Sequence, residues 1–75
     1  MGVPSYQIVV DWIEANVRAG TYRPGDQLPT IRDLAALTDT NPTAVKTALL
    51  ILRERGVVRG QQGKGNFVAE SRGPV

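Results

Sequence analysis

Apolar residues return along this chain with a helical period three times and then switch to short β-like runs. Val9, Trp12, Ile13 and Val17 follow i, i+3, i+4 and i+8, one stripe of a helix. Ile31, Leu34, Ala35 and Leu37 make a shorter helix, expected to bury one side. Val45, Ala48, Leu49 and Leu52 follow i, i+3, i+4 and i+7 in a third. Val57, Val58, Phe67 and Val68 then flank a turn region from Gly60 to Gly65, which reads as strand, tip and strand.

Signals for starting and stopping bracket each element. Ser5 is placed to cap the first helix and Gly20 to stop it. Trp12 belongs to the core or its rim, and Asn16 is expected to bond to a nearby loop. Pro24-Gly25 marks a tight turn, and Pro29 limits any strand there to a short edge piece. Thr30, with Asp33 three residues on, gives a start like a capping box. Asn41 is a strong N-cap and Pro42 suits the first helical position. Gly56 ends the third helix after Arg53 and Arg55, whose charges suit a helix C-terminus. Only Thr38-Asp39-Thr40 separates the second helix from the third, so the two must turn sharply. The order predicts a mainly α fold with a small β-hairpin: three helices plus a two- or three-stranded wing sheet, a winged helix-turn-helix.

Composition narrows the chemistry. Seventy-five residues make one domain. The sequence has no Cys and no His, which removes disulfides, thiolate metal sites and the commonest general base. No cofactor is expected, and an enzyme would need convergent acid, base or metal groups where only scattered carboxylates stand. No apolar run approaches the roughly 20 residues of a membrane span, and no signal peptide is visible. The absence of Cys fits a cytoplasmic protein. Charge is uneven. Residues 1–39 carry three arginines against five carboxylates, a balance of −2, while residues 40–75 carry six cations against Glu54 and Glu70, a balance of +4. A basic half suits a polyanion partner; it also suits a solvated surface.

The third helix carries the sharper signal. Thr43, Ala44 and Thr47 are expected to point away from its core stripe with Lys46 beside them, and Leu50 outward further along. Small outward groups let a helix approach base edges in a major groove about 12 Å wide. At the start of the second helix, free backbone N–H groups and Arg32 make a ready phosphate site, although Arg32 reads equally as a surface cation. At the tip, Gly63 and Gly65 permit close backbone approach and Lys64 supplies charge. "GKG" is not a phosphate-binding P-loop, because the spacing and the strand-to-helix context are missing.

The stretches "GTYRPGDQLPTIRDLA", "NPTAVKTALLILRERGVV" and "GKGNFV" resemble the DNA-binding domain of GntR-type bacterial transcription regulators. The family pattern is roughly G-x-L-x-P-G-D-x-L-P-S-x-R-x-L-A, then T-V-x-x-A-L-x-x-L-x-x-x-G, then G-x-G-T-F-V, and the similarity runs from Val9 to Val68. By resemblance Thr30 and Arg32 match the start of the second helix. Thr43 to Thr47 match the recognition segment, Asn41-Pro42 resembles a subgroup with that pair before the recognition helix, and Gly63 to Gly65 match the wing tip. Thr30 stands for the usual Ser, Pro42 for a frequent Arg, Ala44 for a frequent Thr and Asn66 for the common Thr. The resemblance implies sequence-specific binding of a double-stranded DNA operator, with repression the expected sign. Such regulators carry a C-terminal domain that binds a small molecule and dimerises. A homodimer is therefore expected of a full-length form, and no small-molecule site in this chain. The expected organisation is a domain over residues 5–69 and a tail or linker over 70–75. An alternative is a winged helix used for protein contact, with Leu50 and Ile51 on its surface.

Overall fold

A computed structural model describes residues 2–69. Helix α1 spans Ser5–Arg18, α2 spans Ile31–Thr38 and α3 spans Pro42–Glu54; strands β1, Val58–Gln61, and β2, Gly65–Val68, close an antiparallel hairpin. The predicted class holds. The tail expected over 70–75 lies outside the described residues.

One core joins these elements. Val9, Val10 and Ile13 of α1 are fully buried, as are Leu34 of α2, Val45, Ala48 and Leu52 of α3; Val58 and Val68 of the hairpin are almost so. Burying a side chain of this size stabilises by about 1.5–3 kcal/mol, so these few residues carry most of the fold. Trp12 sits at the rim beside Tyr22, with ring centroids 6.1 Å apart and the planes tilted by 52°. Arg55 reaches back to Glu14 at 3.0 Å and links α3 to α1. With the arginine half exposed, that pair contributes at most about 1 kcal/mol.

All three helices end in the same way. A backbone N–H two or three residues past each helix reaches back five positions: Thr21 to the Asn16 carbonyl, Thr40 to Ala35 and Val57 to Leu52, each at 2.9 Å. The residue between has positive φ, which is Gly20, Asp39 and Gly56 in turn. Asp39, at φ +56°, is the one non-glycine there. It closes α2 directly onto Asn41, whose side-chain oxygen accepts the Ala44 N–H at 2.9 Å and opens α3. The sharp turn expected between the two helices therefore has no slack.

A third strand exists only as a fragment. Gln27 bridges Phe67, and the segment before Pro29 lies against β2 through Gly25 to Val68, Val68 to Asp26 and Leu28 to Asn66, all between 2.8 and 2.9 Å. The tight turn at Pro24-Gly25 closes through the Asp26 N–H to the Arg23 carbonyl at 2.9 Å.

Three expectations need correction. Ser5 does not cap α1: it is the first helical residue, Pro4 holds the cap position, and the Pro4 carbonyl takes the Gln7 N–H at 2.9 Å. Leu37 is 56% exposed, and Thr38 is buried in its place. The burial is possible because the Thr38 hydroxyl donates to the Leu34 carbonyl at 2.7 Å and meets the Thr40 hydroxyl at 2.8 Å, so no polar group is left unpaired. The Asn16 side chain bonds to the Trp12 carbonyl of its own helix at 2.7 Å; its backbone carbonyl, not its amide, holds the following loop.

Candidate nucleic-acid interface

Helix α3 is buried on one side and open on the other. Thr43, Lys46, Thr47, Leu50, Arg53 and Glu54 are exposed, while Ala44, Val45, Ala48, Leu49 and Leu52 face inward. The open face begins with short polar groups and one cation, passes Leu50 at 54% exposure, and ends with Arg53 and Glu54. The Asn41 cap and Pro42 at the first position fix where this face starts.

The hairpin stands beside two grooves. One, of about 330 Å³, lies between the start of α2 and the tip; Thr30, Arg32, Lys64 and Gly65 are among its lining. The other, of about 450 Å³, lies between Arg53 and the hairpin from Gly60 to Gly63. Thr30 caps α2 by accepting the Asp33 N–H at 3.1 Å. That leaves Arg32 exposed in the first turn, on the same groove as Lys64. The tip turn is closed by the Lys64 N–H to the Gln61 carbonyl at 3.0 Å, with Gly63 and Gly65 at φ +78° and +117°. Across the strands Arg59 lies over the Phe67 ring, 5.5 Å from its centroid, a cation–π contact that stiffens the ribbon behind its tip. Arg53, Lys64 and Arg32 thus border the two grooves with small or bare residues among them, and Lys46 lies on the open face of α3. Such a surface can bind a polyanion and admit its backbone closely.

The profile described as "Bacterial regulatory proteins, gntR family" matches residues 5–68. This chain belongs to that family. The HTH-type transcriptional repressor YtrA of Bacillus subtilis is 29% identical over 91% of this chain and 52% of its own length. The Uxu operon transcriptional regulator of Escherichia coli is 34% identical over 91% of this chain and 26% of its own. Among solved structures, a GntR family transcriptional regulator from Listeria monocytogenes superposes with a TM-score of 0.87 at 31% identity, over 93% of this chain and 61% of that one. The DNA-binding domain of AraR in complex with operator ORR3 superposes with a TM-score of 0.86 at 26% identity, over 92% of this chain and 84% of that one. The chain spans about half the length of the curated YtrA relative.

Within this GntR-type domain the structure divides the expected site residues into two groups. Thr30, Arg32, Lys64 and Gly65 share the groove by α2, and Gly63 joins Gly65 on the groove by Arg53. Thr43, Lys46 and Thr47 line the open face of α3 instead. Asn41 is engaged as a cap. Ala44 corrects the expectation of an outward methyl: it is only 7% exposed. It lies one helical turn before buried Ala48, on the flank of the inward stripe, and its methyl is withdrawn from the open face. Two residues outside that set border the grooves. Arg53, whose charge suits the helix C-terminus, also lines the groove by the hairpin. Gln27, which the local pattern leaves without a role, lines the groove by α2 and donates its side-chain amide to the Lys64 carbonyl at 2.7 Å. Its signal was its place beside inward Leu28, which turns Gln27 to the opposite face of any strand.

Proposed function

We propose that this domain binds double-stranded operator DNA and serves transcription control. The open face of α3 enters the major groove, and the wing rests on the adjacent groove or backbone. Thr43 and Thr47 read base edges, since Thr bonds to several bases and its methyl meets that of thymine. Lys46, Lys64 and Arg32 face phosphates, with Gly63 and Gly65 letting the backbone come close and Thr30 and Asn41 presenting the helix ends. The likeness to the AraR domain, solved on its operator and superposing over 92% of this chain, carries the reading. Repression is the proposed sign, in keeping with relatives named as repressors, among them YtrA and the histidine utilization repressor of Klebsiella aerogenes. The domain is taken over residues 5–69 with a tail beyond. It acts as a binding module rather than an enzyme, in the cytoplasm, within a full-length form that pairs as a homodimer. No helix among the described residues is long and apolar enough to cross a membrane.

Selection of bound sites from a random duplex pool, followed by salt titration on the recovered site, tests this. Recovery of a shared motif and an affinity that falls steeply with salt are expected. The exposure of Leu50 favours a second reading, a protein-contact surface. That reading predicts no recovered motif and partner binding that resists salt.

A further inference from the structure

The rungs between the loop after α1 and strand β2 begin at Gly25 and stop at Asn66. The wing tip lies beyond that ladder. Gln27 extends it: its side-chain amide donates to the Lys64 carbonyl at 2.7 Å, across 37 positions of sequence. Strand alternation supplies the direction, because Leu28 points into the core and its neighbour turns outward along the ribbon. Gly65 supplies the space. A Cβ at that position would lie 2.9 Å from the Gln27 amide nitrogen, and φ of +117° disfavours any side chain there. The same contact borders the groove shared by Arg32 and Lys64.

We infer that Gln27 is a positioning residue for DNA binding, whose amide holds the wing tip against the start of α2 so that Lys64 and Arg32 meet one stretch of phosphate backbone. The inference rests on the operator-binding reading above. Gln27 need not touch DNA. A tip already held in place loses less freedom on binding than a loose one, and the saving appears as affinity. A neutral hydrogen bond of this kind has a modest net worth, which translates into a few-fold change rather than an all-or-none effect.

Gln27→Met keeps the length of the side chain and removes its donor; Gln27→Asn keeps a donor that no longer reaches. Both are compared with the unaltered chain by thermal melting, by amide hydrogen exchange across residues 62–66, and by affinity for the pool-selected duplex. Affinity is also measured with Lys64→Ala present. The expected result is a fall in melting temperature of at most a few degrees, faster exchange confined to the tip, and affinity about three- to tenfold weaker. Most of that loss should vanish beside Lys64→Ala, because the tip then presents no cation to set beside Arg32. Equal affinity, unchanged tip exchange, or a loss of the same size without the Lys64 ammonium overturns the inference. A fall in melting temperature that accounts for the affinity loss overturns it too, since Gln27 would then only support the fold. If the unaltered chain binds no duplex, the operator reading itself fails, and this is seen before any variant is compared.

Discussion

Helix α3 and the hairpin carry most of the exposed groups assigned to DNA, yet they are held in opposite ways. Helix α3 rests on five buried side chains and packs against both other helices. The hairpin sends only Val58 and Val68 into the core; backbone rungs and the Gln27 amide do the rest. Apolar burial at α3 amounts to several kcal/mol, whereas each hydrogen bond contributes about 1 kcal/mol net. The lesson is that α3's placement is a property of the whole fold. The wing's placement is local and can be altered without unfolding anything.

Leu49→Ala should break the first half of that comparison most severely. Leu49 is 2% exposed, and its truncation is expected to destabilise the fold by roughly 2–5 kcal/mol, read from a thermal or denaturant melt. DNA binding should then be lost only in proportion to the unfolded fraction. If stability is unchanged, α3 is not anchored as described.

On the open face of the same helix the expected balance reverses. Thr43→Ala or Thr47→Ala should cost about 1–3 kcal/mol on the selected site and leave the melt and the affinity for a scrambled duplex nearly unchanged. Unchanged discrimination in both variants would move specificity to the wing. At the wing, Lys64→Ala should weaken binding to all duplexes alike and lower the salt slope by about 1, with Lys46→Ala as its counterpart on α3. A variant that loses specificity but keeps its slope would mark a base-reading lysine.

The smallest effect concerns the helix ends. Asp39 holds a left-handed conformation that Gly20 and Gly56 adopt without cost in the same motif. Asp39→Gly should therefore stabilise by a few tenths to about 1 kcal/mol, seen as a raised melting temperature with DNA affinity unaltered. A lowered melting temperature would mean that the aspartate side chain contributes more than its backbone conformation costs.

What could be read from the sequence follows the same division. The helix spans were legible because caps and breakers act locally: Thr30, Asn41, Gly20 and Gly56 do in the structure what their chemistry dictates. The hairpin was legible from two short apolar runs around glycines. The outward face of α3 was legible at Thr43, Lys46 and Thr47 but not at Ala44, because an alanine suits either side and only the packed fold decides. Leu37 and Thr38 exchanged places for a related reason. The wheel ranks residues by polarity, whereas the fold accepts a threonine whose hydroxyl is satisfied by Leu34 and Thr40. The contact from Gln27 to Lys64 joins segments 37 residues apart, and no local pattern encodes it.

The turn between α2 and α3 has a consequence for how this domain can change over generations. Its angle is set by the Thr40 to Ala35 bond, the Asn41 cap and the Thr38–Thr40 hydroxyl pair, none of which involves an outward residue of α3. Scaffold and vocabulary are therefore separate inheritances. On the proposed reading, Thr43, Lys46, Thr47 and Leu50 can drift, and the preferred operator with them, while the turn keeps its angle. One residue inserted at Asp39 would break the Thr40 to Ala35 bond and loosen that angle, while the five buried side chains of α3 would keep the same face outward.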